Sequence, residues 1–194
     1  MNDPFVKISE NFSVSWDVES LVANCPMISN SGSVVYSEQD GKPHWQYFRS
    51  GISFFRNFYI NFKDECIETA DRLLALQKEL SFVEPGHCIN EFLSHKIHPA
   101  RVNLLLIKSG VDVQPHVDIT RDICINIGVK NSNVCTTYIR RDFGEDNFWD
   151  NDLLNYTMND GDVYLVSIKN QHAVKQNGNG NGDRYLITYN MINR

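Results

Sequence analysis

The hydrophobic pattern of this chain changes period near its middle. Between Asp64 and Leu80, Ile67, Ala70, Leu73, Leu74 and Leu80 recur at three- and four-residue spacing among Glu65, Glu68, Asp71, Lys78 and Glu79. This pattern predicts an amphipathic helix. Acidic residues in its first turn complement the helix dipole, and Pro85-Gly86 bars any continuation. After Pro99 the period falls to two. Ile123, Ile125, Ile127 and Val129 alternate with Asp122, Cys124, Asn126 and Gly128, as in a strand with one buried face. Further strands are predicted over Asn103–Lys108, Val134–Arg141, Asp162–Ile168 and Arg184–Met191. Short strands at close spacing, joined by Gly- and Asn-rich turns, indicate an antiparallel sandwich or jelly roll.

The last strand predicts the layering. Tyr185, Ile187, Tyr189 and Met191 share one apolar face, while Arg184, Leu186, Thr188 and Asn190 share the other. An apolar outer face must be covered. The helix of residues 64–80 and the aromatic stretch from Trp45 to Phe62 are the available covers. The expectation is one domain over 1–194, with a helical and aromatic covering region at 1–98 and a β core at 99–194. A short helix at Asp17–Asn24 and a turn at Asn30–Ser33 leading into a strand complete the reading of the N-terminal part.

Composition narrows the function classes. The 194 residues are 42% hydrophobic and 22% charged, as in an ordinary globular protein. A formal net charge of −6 argues against non-specific nucleic-acid binding, which needs a cationic face. No signal-peptide pattern opens the sequence, and no stretch approaches the roughly 18 apolar residues of a membrane span. Five cysteines without a CxxC pair fit reduced thiols, so a cytoplasmic location and no membrane partner are expected.

The candidate chemistry begins in Asn103–Asp118, an apolar strand, a turn, and then His116 and Asp118 two residues apart. In extended chain, positions i and i+2 share a side, so an imidazole and a carboxylate can converge on one point. A facial triad needs one more histidine, and after Asp118 the chain has only His172. Twelve residues later Arg184 opens the final strand, behind the turn Asn177–Gly182. That turn is expected to bring Arg184 beside the strand carrying His172. On an interior face its guanidinium suits a ligand carboxylate, or else a salt bridge to an acidic neighbour. The segment 142–152 holds five acids, three aromatics and no Lys or Arg. It reads as a lid favouring a cationic or peptide substrate, or as a solvated loop.

The order H-x-D, distal His, and a basic residue about ten positions on resembles the iron(II)- and 2-oxoglutarate-dependent dioxygenases, over roughly residues 101–191. Gly110 and Pro115 before His116, Gly161-Asp162 opening a strand, and His172-Ala-Val174 are similar to the prolyl- and aspartyl/asparaginyl-hydroxylase-like members. The resemblance implies a double-stranded β-helix (a cupin-like jelly roll) covered on one face by helices. It further implies Fe(II) held by His116, Asp118 and His172, with Arg184 on the distal carboxylate of 2-oxoglutarate and Thr188 as its hydroxyl partner. Tyr138 is a candidate for the cosubstrate as well as for the core, with Asn103 and Asn126 weaker candidates. Reaction with O2 would hydroxylate an amino-acid side chain, in a peptide or a small molecule. The alternative is a cupin-like jelly roll that holds a metal or ligand without 2-oxoglutarate chemistry.

Overall fold

In the computed structural model, residues 3–13, 17, 34–39, 42–47, 52–55, 59, 62–81, 87–118, 123–141, 147–178 and 181–191 are described. The strands are β1 (Phe5–Ser9), β2 (Val34–Gln39), β3 (Lys42–Tyr47), β4 (Ile52–Phe55), β5 (Val102–Ile107) and β6 (Val113–His116). They continue as β7 (Ile123–Lys130), β8 (Cys135–Arg140), β9 (Leu153–Thr157), β10 (Val163–Ser167), β11 (His172–Gln176) and β12 (Arg184–Asn190). Among the described residues, the α-helices α1 (Lys63–Leu80) and α2 (His87–Ser94) lie between β4 and β5. No described helix is long and apolar enough to cross a membrane.

The strands form a six-stranded sheet in the order β1-β10-β7-β12-β5-β4, a four-stranded sheet in the order β6-β11-β8-β9, and the separate hairpin β2-β3. Every pairing is antiparallel. The jelly-roll expectation holds. Two strands of the six-stranded sheet, β1 and β4, come from the N-terminal region. That region therefore contributes sheet as well as cover.

Period-two alternation assigns the two faces. Ile187 and Tyr189 of β12, Ile125 and Ile127 of β7, and Leu104 and Leu106 of β5 point out of the six-stranded sheet into a buried layer with Cys66, Ala70 and Leu73 of α1 and Phe92 of α2. Tyr59 and Phe62 pack against this layer. The side chains of the rest of the aromatic stretch, and the helix expected at 17–24, lie outside the described residues. The buried stripe of α1 is rotated from the predicted one: Cys66, Thr69, Ala70, Leu73 and Gln77 are buried, and Ile67 is only half-buried. Gln77 goes inside because its amide donates to the Phe92 and His95 carbonyls at the end of α2, where a helix leaves acceptors unmet. Tyr189 likewise hands its hydroxyl to the Cys66 carbonyl at 2.9 Å.

The opposite face of the six-stranded sheet looks across the interior at the four-stranded sheet. Two apolar clusters lie there. One contains Cys124, Ile139, Tyr156, Tyr164, Val166 and Leu186; the other contains Ile107, Val113, Val134, Cys135 and Val174.

The close approach of two turns depends on Gly128. Its N–H donates to the Asp162 carbonyl at 2.9 Å, and its carbonyl accepts from Gly161 at 2.8 Å. A Cβ there would stand 2.4 Å from the Asn159 carbonyl oxygen and 2.7 Å from Ser132 Oγ. Backbone on one side leaves little to give way. Gly128→Ala is expected to lower unfolding stability by about 1–3 kcal/mol, the usual range for overpacking, with the midpoint shift read by urea titration.

Candidate active site

The site is built where β6 and β11 pair. His116 ends β6 and His172 opens β11, and the two are direct partners across the ladder. Their ring centroids are 4.2 Å apart and the rings are tilted by 52°. Nδ1 of His116 is 2.9 Å from the Gln114 carbonyl oxygen, and Nδ1 of His172 is 2.9 Å from that of Asn170. A carbonyl only accepts, so each Nδ1 carries the proton and donates it. In the neutral ring the remaining lone pair is then on Nε2, the state in which an imidazole ligates a metal. Two side-by-side histidines share this tautomer because each sits two residues beyond the carbonyl it uses.

The turn before β11 is held firmly. Asn170 is buried; its amide donates to the Arg140 carbonyl at 3.0 Å, and its oxygen accepts from Ser167 Oγ at 3.0 Å. The N–H of Arg140 donates to the Gln171 carbonyl at 2.9 Å. Asp118, two residues past His116, ties its backbone N–H to the Ile168 carbonyl of the same turn at 3.1 Å. Both ends of the candidate triad are therefore anchored on residues 168–171. Among the described residues no three His, Cys, Asp or Glu side chains are gathered closely enough to hold a metal. The two imidazoles are brought together across the β6–β11 ladder.

Arg184 lies on the interior face of β12 and is 1% exposed. It is not beside β11, as the turn at 177–182 suggested. β12 pairs with β5 and β7, and β11 with β6 and β8, so that turn carries the chain from one sheet to the other. Arg184 consequently faces the four-stranded sheet across the interior, where its guanidinium donates to the Cys135 thiol and lies near the Tyr156 phenol. Burial lowers its pKa from the usual range, with the Cys135 and Tyr156 groups acting in the opposite sense. Its Nε has no hydrogen-bond partner. A buried guanidinium held by a thiol and a phenol lacks the counter-charge that normally offsets its desolvation. Among the described residues no acidic neighbour forms a salt bridge with it.

Thr188 shares the interior face of β12 with Arg184, opposite Asn126 of β7 and Asn103 of β5. Its hydroxyl donates to Asn126 Oδ1 at 2.9 Å. Tyr138 is placed away from this interior. It pairs with Ala173, while its neighbours Thr137 and Ile139 pair with Val174 and His172. Alternation therefore turns Tyr138 to the outer face. There its ring meets Trp149 edge-on at 5.6 Å, and Lys175 Nζ lies 3.6 Å over the Trp149 ring. The described part of the 142–152 segment thus packs on the outer face of the four-stranded sheet. Residues 142–146 lie outside the described residues.

The interior aromatic that sequence reasoning missed is Tyr156 on β9. Burial pushes its phenol up to about 12, with the Cys124 thiol adding to the rise, and Arg184, Thr137 and Asn126 acting the other way. Leu154, Tyr156 and Met158 do alternate with exposed Asn155, Thr157 and Asn159. That alternation was the available signal.

No protein-family model matches this sequence, and no curated protein does. Solved structures do match. One is the non-heme α-ketoglutarate-dependent epimerase SnoN from nogalamycin biosynthesis, with 13% identity, coverage of 99% of this chain and 79% of that one, and a TM-score of 0.58. Another is AviO1 from Streptomyces viridochromogenes Tue57, with 14% identity, 99% and 90% coverage, and a TM-score of 0.55. A third is a Trichoplax adhaerens prolyl hydroxylase in complex with a hypoxia inducible factor peptide fragment, with 16% identity, 98% and 84% coverage, and a TM-score of 0.53. At these identities the likeness concerns architecture. The chain carries the jelly-roll fold of the 2-oxoglutarate- and iron-dependent oxygenases.

Proposed function

We propose that the protein is an Fe(II)- and 2-oxoglutarate-dependent oxygenase. The observation that carries this reading is the pairing, inside one jelly roll, of two Nδ1-anchored imidazoles with a buried guanidinium that meets no carboxylate among the described residues. The donor types fit the metal: two imidazoles and a carboxylate two residues from one of them make a facial set for iron. His116 and His172 would hold Fe(II), with Asp118 completing the set. When bound, iron with 2-oxoglutarate and O2 supplies oxidative decarboxylation coupled to oxidation of a substrate C–H bond.

The chain's own residues do the positioning. Arg184 neutralises and orients the distal carboxylate of the cosubstrate by charge-assisted hydrogen bonds in a dry interior. The spacing suits a short dicarboxylate. Tyr156 pairs with Thr137, two positions along β8 from the Ile139 that faces His172. That is roughly 7 Å at the rise of a strand. The 168–171 turn holds His172 and the backbone of Asp118 in register with each other.

Hydroxylation of an amino-acid side chain, in a peptide or a related small molecule, is the substrate class proposed. The site-to-motif resemblance to prolyl- and aspartyl/asparaginyl-hydroxylase-like proteins supports it. The test is anaerobic loading with Fe(II), followed by O2 and 2-oxoglutarate with candidate peptides and amino acids. Succinate formation dependent on both metal and O2 is expected. Failure of metal-loaded protein to bind 2-oxoglutarate would overturn the reading.

A further inference from the structure

The layer between the sheets holds two buried phenols in direct ring contact. Tyr156 of β9 and Tyr164 of β10 stack with centroids 4.4 Å apart and planes 16° from parallel. The two strands belong to different sheets, so the stack bridges them. Phe5 of β1 lies against it, 4.6 Å from Tyr156 and 6.3 Å from Tyr164. The same buried cluster includes Ile139, the ladder partner of His172. Packing therefore runs from the histidine strand to the stack. By register, Tyr156 lies roughly 10 Å across the sheet and roughly 7 Å along it from His172. An electron can cross such a packed gap, whereas a group transfer cannot.

The two ends of the stack differ. Tyr156 is the inner end, buried in the cluster that reaches β8. Tyr164 is the outer end, the ladder partner of Lys7 on the edge strand β1. Lys7 Nζ is 5.8 Å from the Tyr164 ring centre, and it is held by Glu10 at 3.0 Å and Asp162 at 3.1 Å. A phenol that loses an electron becomes a strong acid and sheds its proton. Beside Tyr164 two carboxylates can take that proton, and Glu10 is exposed to solvent. An electron vacancy that enters at Tyr156 is therefore drawn outward to Tyr164.

We propose that Tyr156 and Tyr164 form a redox relay that carries oxidising equivalents from the histidine pair to the β1 edge when no substrate is there to consume them. This rests on the oxygenase reading. For each equivalent, a one-electron oxidant generated from bound iron and O2 or a peroxide takes one electron from the stack. One proton leaves Tyr164 for the carboxylates around Lys7, and a neutral phenoxyl remains. A small reductant such as ascorbate then returns one electron and one proton, which restores the phenol.

The experiment uses the full chain loaded anaerobically with Fe(II), mixed with hydrogen peroxide, freeze-quenched and read by electron paramagnetic resonance. A tyrosyl radical is expected in the wild type, and ascorbate is expected to clear it. Replacement by Phe keeps the ring contact. Tyr156→Phe is expected to lose the radical. Tyr164→Phe is expected to keep one, now confined to Tyr156, and to lose its rapid clearance by ascorbate. No radical in the wild type, an undiminished radical in Tyr156→Phe, or unchanged clearance in Tyr164→Phe would each overturn the relay. A second arm needs no iron: a ruthenium(III) polypyridyl complex, generated by light and persulfate, oxidises the protein from its surface. The part of the signal that Tyr164→Phe removes is expected to survive Tyr156→Phe; if Tyr164→Phe removes nothing, the relay fails. His172→Ala separates the two levels. Loss of the radical in the iron arm alone supports both readings. A radical kept in the iron arm means the oxidant does not arise at that histidine; the oxygenase reading then fails, and the second arm decides whether the pair is redox-active.

Discussion

Arg184→Met is expected to do two opposite things: remove 2-oxoglutarate binding and raise the melting temperature of the unliganded protein. The side chain is 1% exposed, its Nε is unmet, and the groups acting on it are a thiol and a phenol. Neither carries a full negative charge in a buried setting, since burial also raises the Cys135 thiol and the Tyr156 phenol. The fold therefore carries a desolvated cation that no described carboxylate neutralises. Replacing buried charges by apolar side chains of similar volume commonly stabilises a protein by about 1–4 kcal/mol. At this chain length each kcal/mol corresponds to about 2–4 °C. Ligand binding moves the other way. Removing one member of a buried charged pair costs about 2–5 kcal/mol, which is a loss of roughly thirtyfold to several thousandfold in affinity. Calorimetry with 2-oxoglutarate and a thermal scan on the same two proteins check both halves. A melting temperature that falls with affinity unchanged would mean the guanidinium serves the fold and not a ligand.

That trade-off could be read only partly from the sequence. The alternation at 123–129 and 184–191 was legible because each strand has one face against helices and the other against an interior, so period two persists through both. It assigned Arg184 and Thr188 to the same side of β12. The sheet to which that side belongs was not legible. Strand pairing is non-local, and the turn at 177–182 suits a return within one sheet as well as the crossover it makes. Tyr138 and Tyr156 show the same limit. Both are tyrosines in β-rich segments, and only the registers of β8 against β11 and of β9 against β8 decide that Tyr138 meets Trp149 outside while Tyr156 meets Tyr164 inside. The helix stripe shifted for a different reason. Gln77 is polar, and only the unmet carbonyls at the end of α2 make its burial favourable. The histidine pair lay open to sequence reasoning because H-x-D and one later His leave no choice of partner. The tautomer did not, because it is written in backbone carbonyls.

The tautomer leads to the largest effect expected of any single change near the pair. His172→Ala or His116→Ala is expected to lower affinity for Fe(II), or for Co(II) as a spectroscopic substitute, by at least about a hundredfold. Each removes an Nε2 whose lone pair is directed by a hydrogen bond on the far side of the ring. Asn170→Ala keeps both rings and the backbone carbonyl that His172 uses, but it releases that turn from Ser167 and from the Arg140 carbonyl. Loss of such a supporting group typically costs about 10- to 100-fold in metal affinity. The order of affinities is therefore wild type, then Asn170→Ala, then the two histidine variants. Asp118 adds a separate question, whether its carboxylate completes the set with the imidazoles. If metal draws it in, Asp118→Ala loses affinity and the Co(II) absorption bands of the wild type change in position and intensity. If Asp118→Ala matches the wild type in both, the metal rests on the two histidines alone, and the third ligand must be sought elsewhere. Should the histidine variants bind as tightly as the wild type, the pair is a structural ring contact and the oxygenase reading loses its metal.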